Sequence, residues 1–385
     1  MTYIHRKLEP VVREYLDYFP IVGLTGPRQS GKSTLLKKIL SEYEYVTFDH
    51  ANVRASFNND PNRFLSRYNN KVIFDEVQKV PDIFDAVKTI IDQDRQNYGK
   101  YVLTSSSQFA FLKHVSESLA GRIGLLSLLP LQYLEVPKKN RYQSIYCGSF
   151  PELVLREYKF SKQWYSSYIN TYLEKDVRAV RDIGNLLDFQ RLITLLAANT
   201  SQILDLTHYA NDIGVSVNTI KQWISVLTAS YIIFLLPPFY KNFGKRITKR
   251  PKVYFYDTGM VSYLTGVSNQ ELYEQGPMAG GIFENYVIAE ILKREKHADT
   301  DAQLYYLRTS NKEEVDLIVD RKTHKELIEI KHSGTFKDKM IENIEKFITK
   351  KDQGYLLYNG KAQIGYDNIN ILNYADYLKE ELAAE

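Results

Sequence analysis

The eight residues from Gly26 to Ser33 constrain the fold of this chain more than any other stretch. They read Gly-Pro-Arg-Gln-Ser-Gly-Lys-Ser, which is the G-x-x-x-x-G-K-S phosphate-binding pattern. The apolar run Ile21–Leu24 before them reads as a strand, and residues 33–43 read as a helix. Between a strand and a helix, such a loop directs backbone N–H groups and the positive helix end toward an anion. The stretch therefore predicts a phosphate-binding loop.

Each part of this loop has a predicted role in binding ATP and Mg²⁺. Lys32 is expected to reach the β- and γ-phosphates, and the Ser33 hydroxyl is expected to ligate Mg²⁺. The other predicted ATP-binding residues surround these two: Gly26, Pro27, Arg28, Gln29, Ser30, Gly31 and Thr34. The alternative is a chance match in a glycine-containing turn, and the flanking strand and helix argue against it.

The first part of the chain alternates between predicted strands and helices. After Ile21–Leu24, the strand candidates are Tyr45–Phe48, Val72–Phe74, Tyr101–Thr104 and Gly124–Leu128. Helical patterns lie before and between them, at residues 4–20 and Asp82–Tyr98. This alternation predicts an α/β fold with a parallel sheet covered on both faces. We place this first domain at residues 1–150.

Two adjacent acids end one of the predicted strands. Residues 71–76 read Lys-Val-Ile-Phe-Asp-Glu, in which four residues of buried-strand type lead into the acidic pair. Asp75 is predicted to hold Mg²⁺ and Glu76 to polarise the water that attacks ATP. The alternative is a surface acidic pair after an edge strand, and the phosphate-binding loop upstream argues against it.

Two more residues are candidates for a part in hydrolysis. Ser106 follows the strand Tyr101–Thr104 and is predicted to orient the attacking water, with an ordinary serine-rich turn as the alternative. Arg122 is predicted to act as an arginine finger that stabilises transition-state charge from a neighbouring subunit. The alternative is a surface arginine that begins a strand. A finger supplied in this way requires a homo-oligomer.

Taken together, the motifs resemble those of the prokaryotic AAA-type ATP-binding proteins that carry a C-terminal domain of unknown function. The resemblance covers nearly the whole chain. Beyond residues 26–33, it rests on Phe-Asp-Glu-Val-Gln (74–78), Leu-Thr-Ser-Ser-Ser-Gln-Phe (103–109), Ser-Leu-Ala-Gly-Arg (118–122), Gly-Ser-Phe-Pro-Glu (148–152), Tyr-Leu-Glu-Lys-Asp-Val-Arg (172–178), Tyr-Phe-Tyr-Asp-Thr-Gly (254–259), Phe-Glu-Asn (283–285), Glu-Val-Asp (314–316) and Glu-Ile-Lys (329–331). It implies an AAA-type ATPase core, a winged-helix middle and a restriction-endonuclease-like C-terminal fold.

The middle region, residues 151–275, has the outline of a winged helix. Leu204–Asp212 and Val217–Ser230 resemble a helix-turn-helix pair, and two strand candidates follow them. The basic residues between these strands would form the wing: Lys241, Lys245, Arg246, Lys249 and Arg250. The second helix would present Asn218, Thr219, Lys221 and Gln222 to DNA and bury Ile220, Trp223, Ile224 and Leu227. The alternative is a packing module or a protein-binding surface.

The C-terminal region, residues 276–385, carries acids at a spacing that resembles restriction endonucleases. Glu284 lies on a predicted helix, Asp316 on a strand, and Glu329 and Lys331 on the next strand. Asp316 and Glu329 would ligate Mg²⁺, Lys331 would position water, and Glu284 would orient a ligand. This interpretation expects an open pocket where the carboxylates meet. The alternative is a buried cluster in which the charges neutralise each other.

Composition narrows the setting of the protein without deciding its role. The chain has 385 residues, enough for two or three domains, and a net charge of +4, which permits a nucleic-acid partner without requiring one. The N-terminus lacks a signal-peptide pattern, and the apolar runs are too short to span a membrane. Together with a single cysteine, Cys147, this favours the cytoplasm. Two functions stay open: an ATPase acting on DNA, and an ATP-switched scaffold or sensor with an inert C-terminal region.

Overall fold

The computed structural model describes residues 3–106, 108–172, 186–239 and 250–380. The chain divides into two compact units. The first comprises Met1–Leu131 with Ala229–Tyr231, and the second comprises Gln132–Thr228 with Ile232–Glu385. Residues 132–150, which the sequence analysis assigned to the first domain, therefore group with the second unit. The three-domain division itself stays a prediction.

The first unit contains a five-stranded sheet. Its strands are β1 (Ile21–Thr25), β2 (Glu44–Thr47), β3 (Val72–Asp75), β4 (Tyr101–Thr104) and β5 (Ile123–Ser127). They lie in the order β2-β3-β4-β1-β5, and every neighbouring pair is parallel. The helices are α1 (Glu9–Tyr18), α2 (Lys32–Ile39), α3 (Ala51–Asn59), α4 (Pro61–Arg67), α5 (Ile83–Gln93) and α6 (Gln108–His114), with a 3₁₀ turn at Val77–Lys79 and a π turn at Val115–Leu119. The predicted parallel α/β sheet is confirmed.

Alternate side chains of these strands pack into two separate cores. On β3, Phe74 belongs to a core with Phe57 of α3 and Phe84 of α5. Its neighbour Ile73 belongs to the other core, with Val12 of α1. Successive strand residues point to opposite faces, so both faces of the sheet are covered. This explains why the strands read as continuous apolar runs in the sequence.

The second unit begins with helical segments. Its helices are α7 (Arg141–Cys147), α8 (Pro151–Leu155), α9 (Ser161–Tyr172), α10 (Leu186–Ala198), α11 (Leu206–Ile213), α12 (Val217–Ala229), α13 (Thr258–Thr265), α14 (Gln270–Gln275), α15 (Ala279–His297), α16 (Glu342–Phe347) and α17 (Tyr374–Lys379), with 3₁₀ turns at Lys138–Asn140 and Asp338–Met340. Helix α11 ends at Gly214 in the left-handed conformation and leads into α12. The exposed and buried faces predicted for α12 are confirmed, since Ile220 and Trp223 are buried while Lys221 is exposed.

A short hairpin follows α12. Strands β6 (Ile233–Leu236) and β7 (Lys252–Phe255) pair antiparallel, and Ile203 forms an isolated bridge with Lys252. Four of the five predicted wing residues, Lys241, Lys245, Arg246 and Lys249, lie outside the described residues. The order of helices and strands agrees with the outline of a winged helix, and that assignment stays a prediction.

The C-terminal part contains a mixed six-stranded sheet. Its strands are β8 (Gln303–Arg308), β9 (Glu314–Asp320), β10 (Lys325–Lys331), β11 (Gln353–Tyr358), β12 (Gln363–Tyr366) and β13 (Ile369–Asn373), in the order β12-β13-β11-β10-β9-β8. Strands β8, β9 and β10 form an antiparallel meander, whereas β11 pairs parallel to both β10 and β13. Helix α15 packs against β10. Strands β12 and β13 and helix α17 were not predicted from the sequence. No described helix has the length and apolar character needed to cross a membrane.

Asp257 anchors a buried network that accounts for two of the sequence motifs. Its side chain caps α13 by accepting from the N–H of Met260, and it accepts from the N–H of Ser149 at 2.7 Å. The hydroxyl of Tyr165 donates to the other carboxylate oxygen of Asp257 at 2.5 Å. Burial and the neighbouring carboxylate raise the pKa of Tyr165. Gly148 lies against this network, so its motif has a structural role.

We predict that Gly148→Ala destabilises the protein much more than Gly214→Ala. Gly148 has φ 81° and ψ −176°, and an added Cβ would lie 2.1 Å from the Tyr165 hydroxyl. Gly214 has a similar φ of 82°, but nothing lies within 4 Å of its added Cβ. We expect a loss of about 1 kcal/mol at Gly214 and at least about 3 kcal/mol at Gly148, measured by urea unfolding. Equal losses would contradict the packing role.

Candidate functional site

The predicted phosphate-binding loop lies at the carboxyl end of β1. Gly26, Gln29 and Gly31 all have positive φ, which folds the chain back on itself before α2 begins at Lys32. A Cβ added to Gly26 would lie 2.2 Å from the backbone oxygen of Leu128, so only glycine fits there. The loop is therefore built to bring backbone, rather than side chains, close to whatever binds in it.

Lys32 is buried inside this loop. Its ammonium group donates to the carbonyl oxygens of Gly26 and Pro27, both at 2.9 Å. The hydroxyl of Ser30 is also buried and has no hydrogen-bond partner among the described residues. A phosphate group entering the loop would supply an acceptor to both groups, which fits the predicted ATP-binding role.

Two residues that the sequence analysis did not select support the base of the loop. Arg6, which is buried, donates to the backbone oxygens of Ser30 at 2.8 Å and Leu129 at 2.6 Å. The hydroxyl of Tyr231 lies 2.7 Å from that of Thr25, the last residue of β1. Neither residue has a local pattern that reveals its role, because both reach the loop from distant parts of the sequence.

Asp75 lies at the carboxyl end of β3, beside the loop. Its carboxylate accepts from Ser33 at 3.3 Å, from Tyr45 at 2.5 Å, from Thr47 at 3.4 Å and, through a short hydrogen bond, from Thr104. Burial and the contact with Asp75 raise the pKa of Tyr45. Hydroxyl groups hold the carboxylate without neutralising it, so its charge remains available to a cation.

The pair Ser33 and Asp75 fits a magnesium ion. Mg²⁺ prefers hard oxygen ligands at about 2.1 Å in an octahedral arrangement, which places adjacent ligand atoms about 3 Å apart. The 3.3 Å between Ser33 Oγ and Asp75 Oδ1 agrees with that spacing. These are the two residues that the sequence predicted as metal ligands.

Glu76 turns away from Asp75 toward the end of β4. Its φ of 59° and ψ of 43° place it in the left-handed region, which is unusual for a residue other than glycine. The carboxylate oxygen Oε2 accepts from the Ser106 hydroxyl at 2.9 Å and from the Gln78 amide at 2.6 Å. Because β4 lies between β1 and β3, Ser106 and Glu76 come together beside the P-loop. The structure thus brings together the predicted base and the predicted serine.

Arg122 lies at the opposite edge of the same sheet. It immediately precedes β5, which runs parallel to β1 with Ile123 beside Ile21, whereas the P-loop follows the other end of β1. The intervening strand length separates Arg122 from its own P-loop by roughly 15–20 Å. Its guanidinium donates to both carboxylate oxygens of Asp92, at 2.7 and 2.9 Å. This hydrogen bonding lowers the pKa of Asp92 to about 2.

In the second unit, three of the four predicted nuclease residues meet directly. The backbone N–H of Ile330 donates to Asp316 at 2.8 Å, which holds β9 and β10 in register. The ammonium of Lys331 lies 2.6 Å from Glu329 and 3.3 Å from Asp316. Asp316 and Glu329 are only 6% and 5% exposed. The residues converge as predicted, but their carboxylates are buried rather than open to solvent.

The fourth residue, Glu284, is engaged by a lysine that the sequence analysis did not select. The ammonium of Lys252, from β7, lies 3.1 Å from Glu284 and 2.6 Å from Glu314. The hydroxyl of Tyr254 also donates to Glu284, at 2.7 Å. No group of three or more acidic, histidine or cysteine side chains in the described residues is arranged to hold a metal ion. Paired acids and lysines of this kind are what the salt-bridge alternative expects.

The first unit has the features of a P-loop nucleotide-binding domain. Its five-stranded parallel sheet carries a phosphate-binding loop after one strand and an acidic pair after another. Residues 18–136 match the family model described as an AAA domain. The match supports a P-loop ATPase of AAA type. Residues 138–271 and 279–377 match two further models, each described as a domain of unknown function, DUF8612 and DUF4143.

The chain is similar along most of its length to two mycobacterial proteins. It is 29% identical over 326 residues to uncharacterized proteins of Mycobacterium bovis and Mycobacterium tuberculosis, covering 84% of this chain and 73% of each relative. Among solved structures, a Walker-type ATPase of Pyrococcus abyssi is 14% identical with a TM-score of 0.47, covering 67% of this chain and 94% of that one. A STAND protein with a tetratricopeptide repeat sensor from Pyrococcus horikoshii is 13% identical with a TM-score of 0.27, covering 76% of this chain and 48% of that one.

The buried carboxylates of the second unit predict a pH-dependent stability. Burial and the neighbouring Asp316 raise the pKa of Glu329 to about 8, above its ordinary value of 4.5. The folded chain then keeps a proton that the unfolded chain releases, so stability falls as pH rises from about 5 to about 8. Glu329→Gln should reduce this fall by on the order of a few kcal/mol, measured by urea unfolding across that range. Glu342→Gln, at an exposed position, is the control, and parallel curves for wild type and Glu329→Gln would contradict the prediction.

Proposed function

We propose that this chain is a Mg²⁺-dependent ATPase of AAA type. The observation that carries the proposal is the meeting of Lys32 and Ser33 with Asp75 and Glu76 at the carboxyl edge of one parallel sheet. A phosphate-binding loop, a cation ligand and a general base are the components that phosphoryl transfer to water requires. The match of residues 18–136 to an AAA domain supports the same reaction.

Each side chain has a distinct task in this reaction. Lys32 exchanges the carbonyls of Gly26 and Pro27 for phosphate oxygens. Ser33 and Asp75 would hold Mg²⁺, which would supply positive charge against the charge that develops on the phosphates. Glu76 takes a proton from the attacking water as the water oxygen bonds to the γ-phosphorus. The bond from that phosphorus to the bridging oxygen breaks, and its electron pair leaves with ADP.

Two substitutions should separate binding from hydrolysis. Lys32→Ala removes the charge that faces the phosphates and should abolish tight ATP binding. Glu76→Gln keeps the shape of the side chain but cannot accept the proton, so it should bind ATP normally and lose turnover by about 10²–10⁴-fold. Binding is measured with a fluorescent ATP analogue and turnover by phosphate release. Turnover at the wild-type rate in Glu76→Gln would show that Glu76 is not the base.

The same assay distinguishes the two broader functions. We propose that hydrolysis is coupled to DNA, on the basis of the helix pair α11 and α12, the hairpin β6–β7 and the exposed Lys221 and Gln222. Duplex DNA should then raise the rate of phosphate release at low salt. An unchanged rate would favour the ATP-switched scaffold, in which nucleotide binding controls contacts with protein partners.

We further propose that the protein assembles into a homo-oligomer in which Arg122 acts on the neighbouring subunit. The position of Arg122 at the sheet edge opposite its own P-loop supports this role, because within one chain it cannot reach the nucleotide. Its bidentate contact with Asp92 keeps the guanidinium oriented until a stronger anionic partner is presented.

Mixing two inactive variants tests this assembly. Arg122→Ala subunits bind ATP but lack the finger, whereas Lys32→Ala subunits supply the finger but do not bind ATP. A mixture should recover part of the wild-type turnover, up to about 10³-fold above either variant alone. The control is Arg122→Ala mixed with the double variant Lys32→Ala/Arg122→Ala, which should stay inactive. A wild-type rate per subunit that is constant at every dilution would contradict action in trans.

For the C-terminal cluster, the contacts favour a structural role over a nuclease. Lys331 pairs with Glu329 and Asp316, and Lys252 pairs with Glu284 and Glu314, so two ammonium groups occupy the space between the acids. Removing one partner from such a cluster leaves a buried charge unpaired and is strongly destabilising. We propose that this cluster stabilises the second unit and that the ATP site carries the activity.

A further inference from the structure

Gln78 is in direct contact with the residues proposed to activate water. It lies in the 3₁₀ turn Val77–Lys79, which folds its side chain back toward Glu76. The amide nitrogen Nε2 donates to Glu76 Oε2 at 2.6 Å and lies 3.3 Å from the Ser106 hydroxyl. An ionised carboxylate only accepts hydrogen bonds, so the nitrogen of the amide must face Glu76. That contact fixes the orientation of the whole amide group.

The amide oxygen of Gln78 consequently points away from the carboxylate. This oxygen, Oε1, is buried and has no hydrogen-bond partner among the described residues. A buried acceptor without a partner is unfavourable, and such atoms in native proteins call for an explanation. A molecule that arrives with the nucleotide would supply the missing partner of Oε1.

The attacking water is the molecule that fits this position. The donors Gln78 and Ser106 both contact Oε2 of Glu76, so neither of them engages Oε1 of the carboxylate. A water between Glu76 and the γ-phosphate has two O–H groups: one gives its proton to Glu76, and the other needs an acceptor. The left-handed backbone of Glu76, unusual for a glutamate, places the carboxylate and the amide side by side.

We propose that Gln78 is a further catalytic residue of the ATPase, which orients the attacking water through Oε1 while its Nε2 holds Glu76 in place. This inference rests on the proposed ATPase function and specifies how its water is positioned. Gln78 keeps its hydrogen bond to the second O–H group while the first proton passes to Glu76. No covalent bond to Gln78 forms or breaks. The amide is suited to the task because it donates to the carboxylate and accepts from the water at once.

The competing role for Gln78 is purely structural, as a side chain that closes the 3₁₀ turn. Three variants distinguish the two roles. Gln78→Met keeps the length of the side chain and removes both hydrogen-bonding groups. Gln78→Glu keeps an acceptor for the water and removes the donor to Glu76. Gln93→Met makes the same chemical change at an exposed position at the end of α5 and serves as the control.

The full-length variants are compared by phosphate release, by binding of a fluorescent ATP analogue and by thermal unfolding. Gln78→Met should bind ATP within about twofold of wild type and lose on the order of 10²-fold in kcat. Gln93→Met should match wild type. Gln78→Glu should be faster than Gln78→Met, because it still accepts from the water, and slower than wild type, because it no longer donates to Glu76.

The outcomes separate failure of this inference from failure of the ATPase proposal. If wild type releases no phosphate, both proposals are overturned. If Glu76→Gln stops turnover but Gln78→Met does not, only the role of Gln78 is overturned. A Gln78→Met variant that loses ATP binding and thermal stability in step with turnover, or a Gln78→Glu variant no faster than Gln78→Met, would assign Gln78 a structural role instead.

Discussion

Parallel pairing of β1, β3 and β4 is the constraint on which the candidate ATP site depends. Because the three strands run in one direction, their carboxyl ends meet at one edge of the sheet, and the chain must leave each strand there. The P-loop leaves β1, the acidic pair leaves β3, and Ser106 leaves β4. Strand pairing therefore brings together residues up to 80 positions apart in the sequence, from Gly26 to Ser106.

Two of the buried acidic sites in the described residues differ in the groups that surround their carboxylates. Around Asp75, uncharged hydroxyl groups donate hydrogen bonds, so the carboxylate is held in position and keeps its negative charge for a cation. Around Asp316 and Glu329, the ammonium of Lys331 contacts both acids, so a positive charge from the protein itself occupies the place of a cation. An aspartate thus suits a metal ligand at position 75 and belongs to a salt-bridge cluster at position 316. The chemistry of the neighbours, rather than the acids themselves, decides between them.

The sequence predicted the parts of the fold and site whose signals are local. The P-loop pattern, the apolar runs that became β1, β3 and β4, and the buried face of α12 all depend on spacing along one short segment. Strand β12 was missed because it is exposed along its whole length and has no apolar pattern. Strand β13 was missed although buried Ile369 and Ile371 alternate with exposed Asn370. Arg6, Tyr45 and Gln78 were missed as site residues for a different reason: each acts on a partner that the fold, not the sequence, brings within reach. Lys252 belongs to the same group, since a lysine on a predicted hairpin strand gives no sign that it lies between two glutamates.

The charged groups at the two edges of the first sheet suggest how assembly would control ATP hydrolysis. One edge carries the P-loop and the residues proposed as cation ligands and base, while Arg122 lies at the other, bound to Asp92. In the proposed mechanism, a single chain would bind ATP and activate water, but Arg122 would have to come from a second copy. If a second copy supplies that charge, Arg122 must exchange a carboxylate for the γ-phosphate, and the multiple negative charge of ATP favours the exchange. Hydrolysis would then depend on assembly, with the Asp92 contact keeping the arginine oriented in the separate subunit.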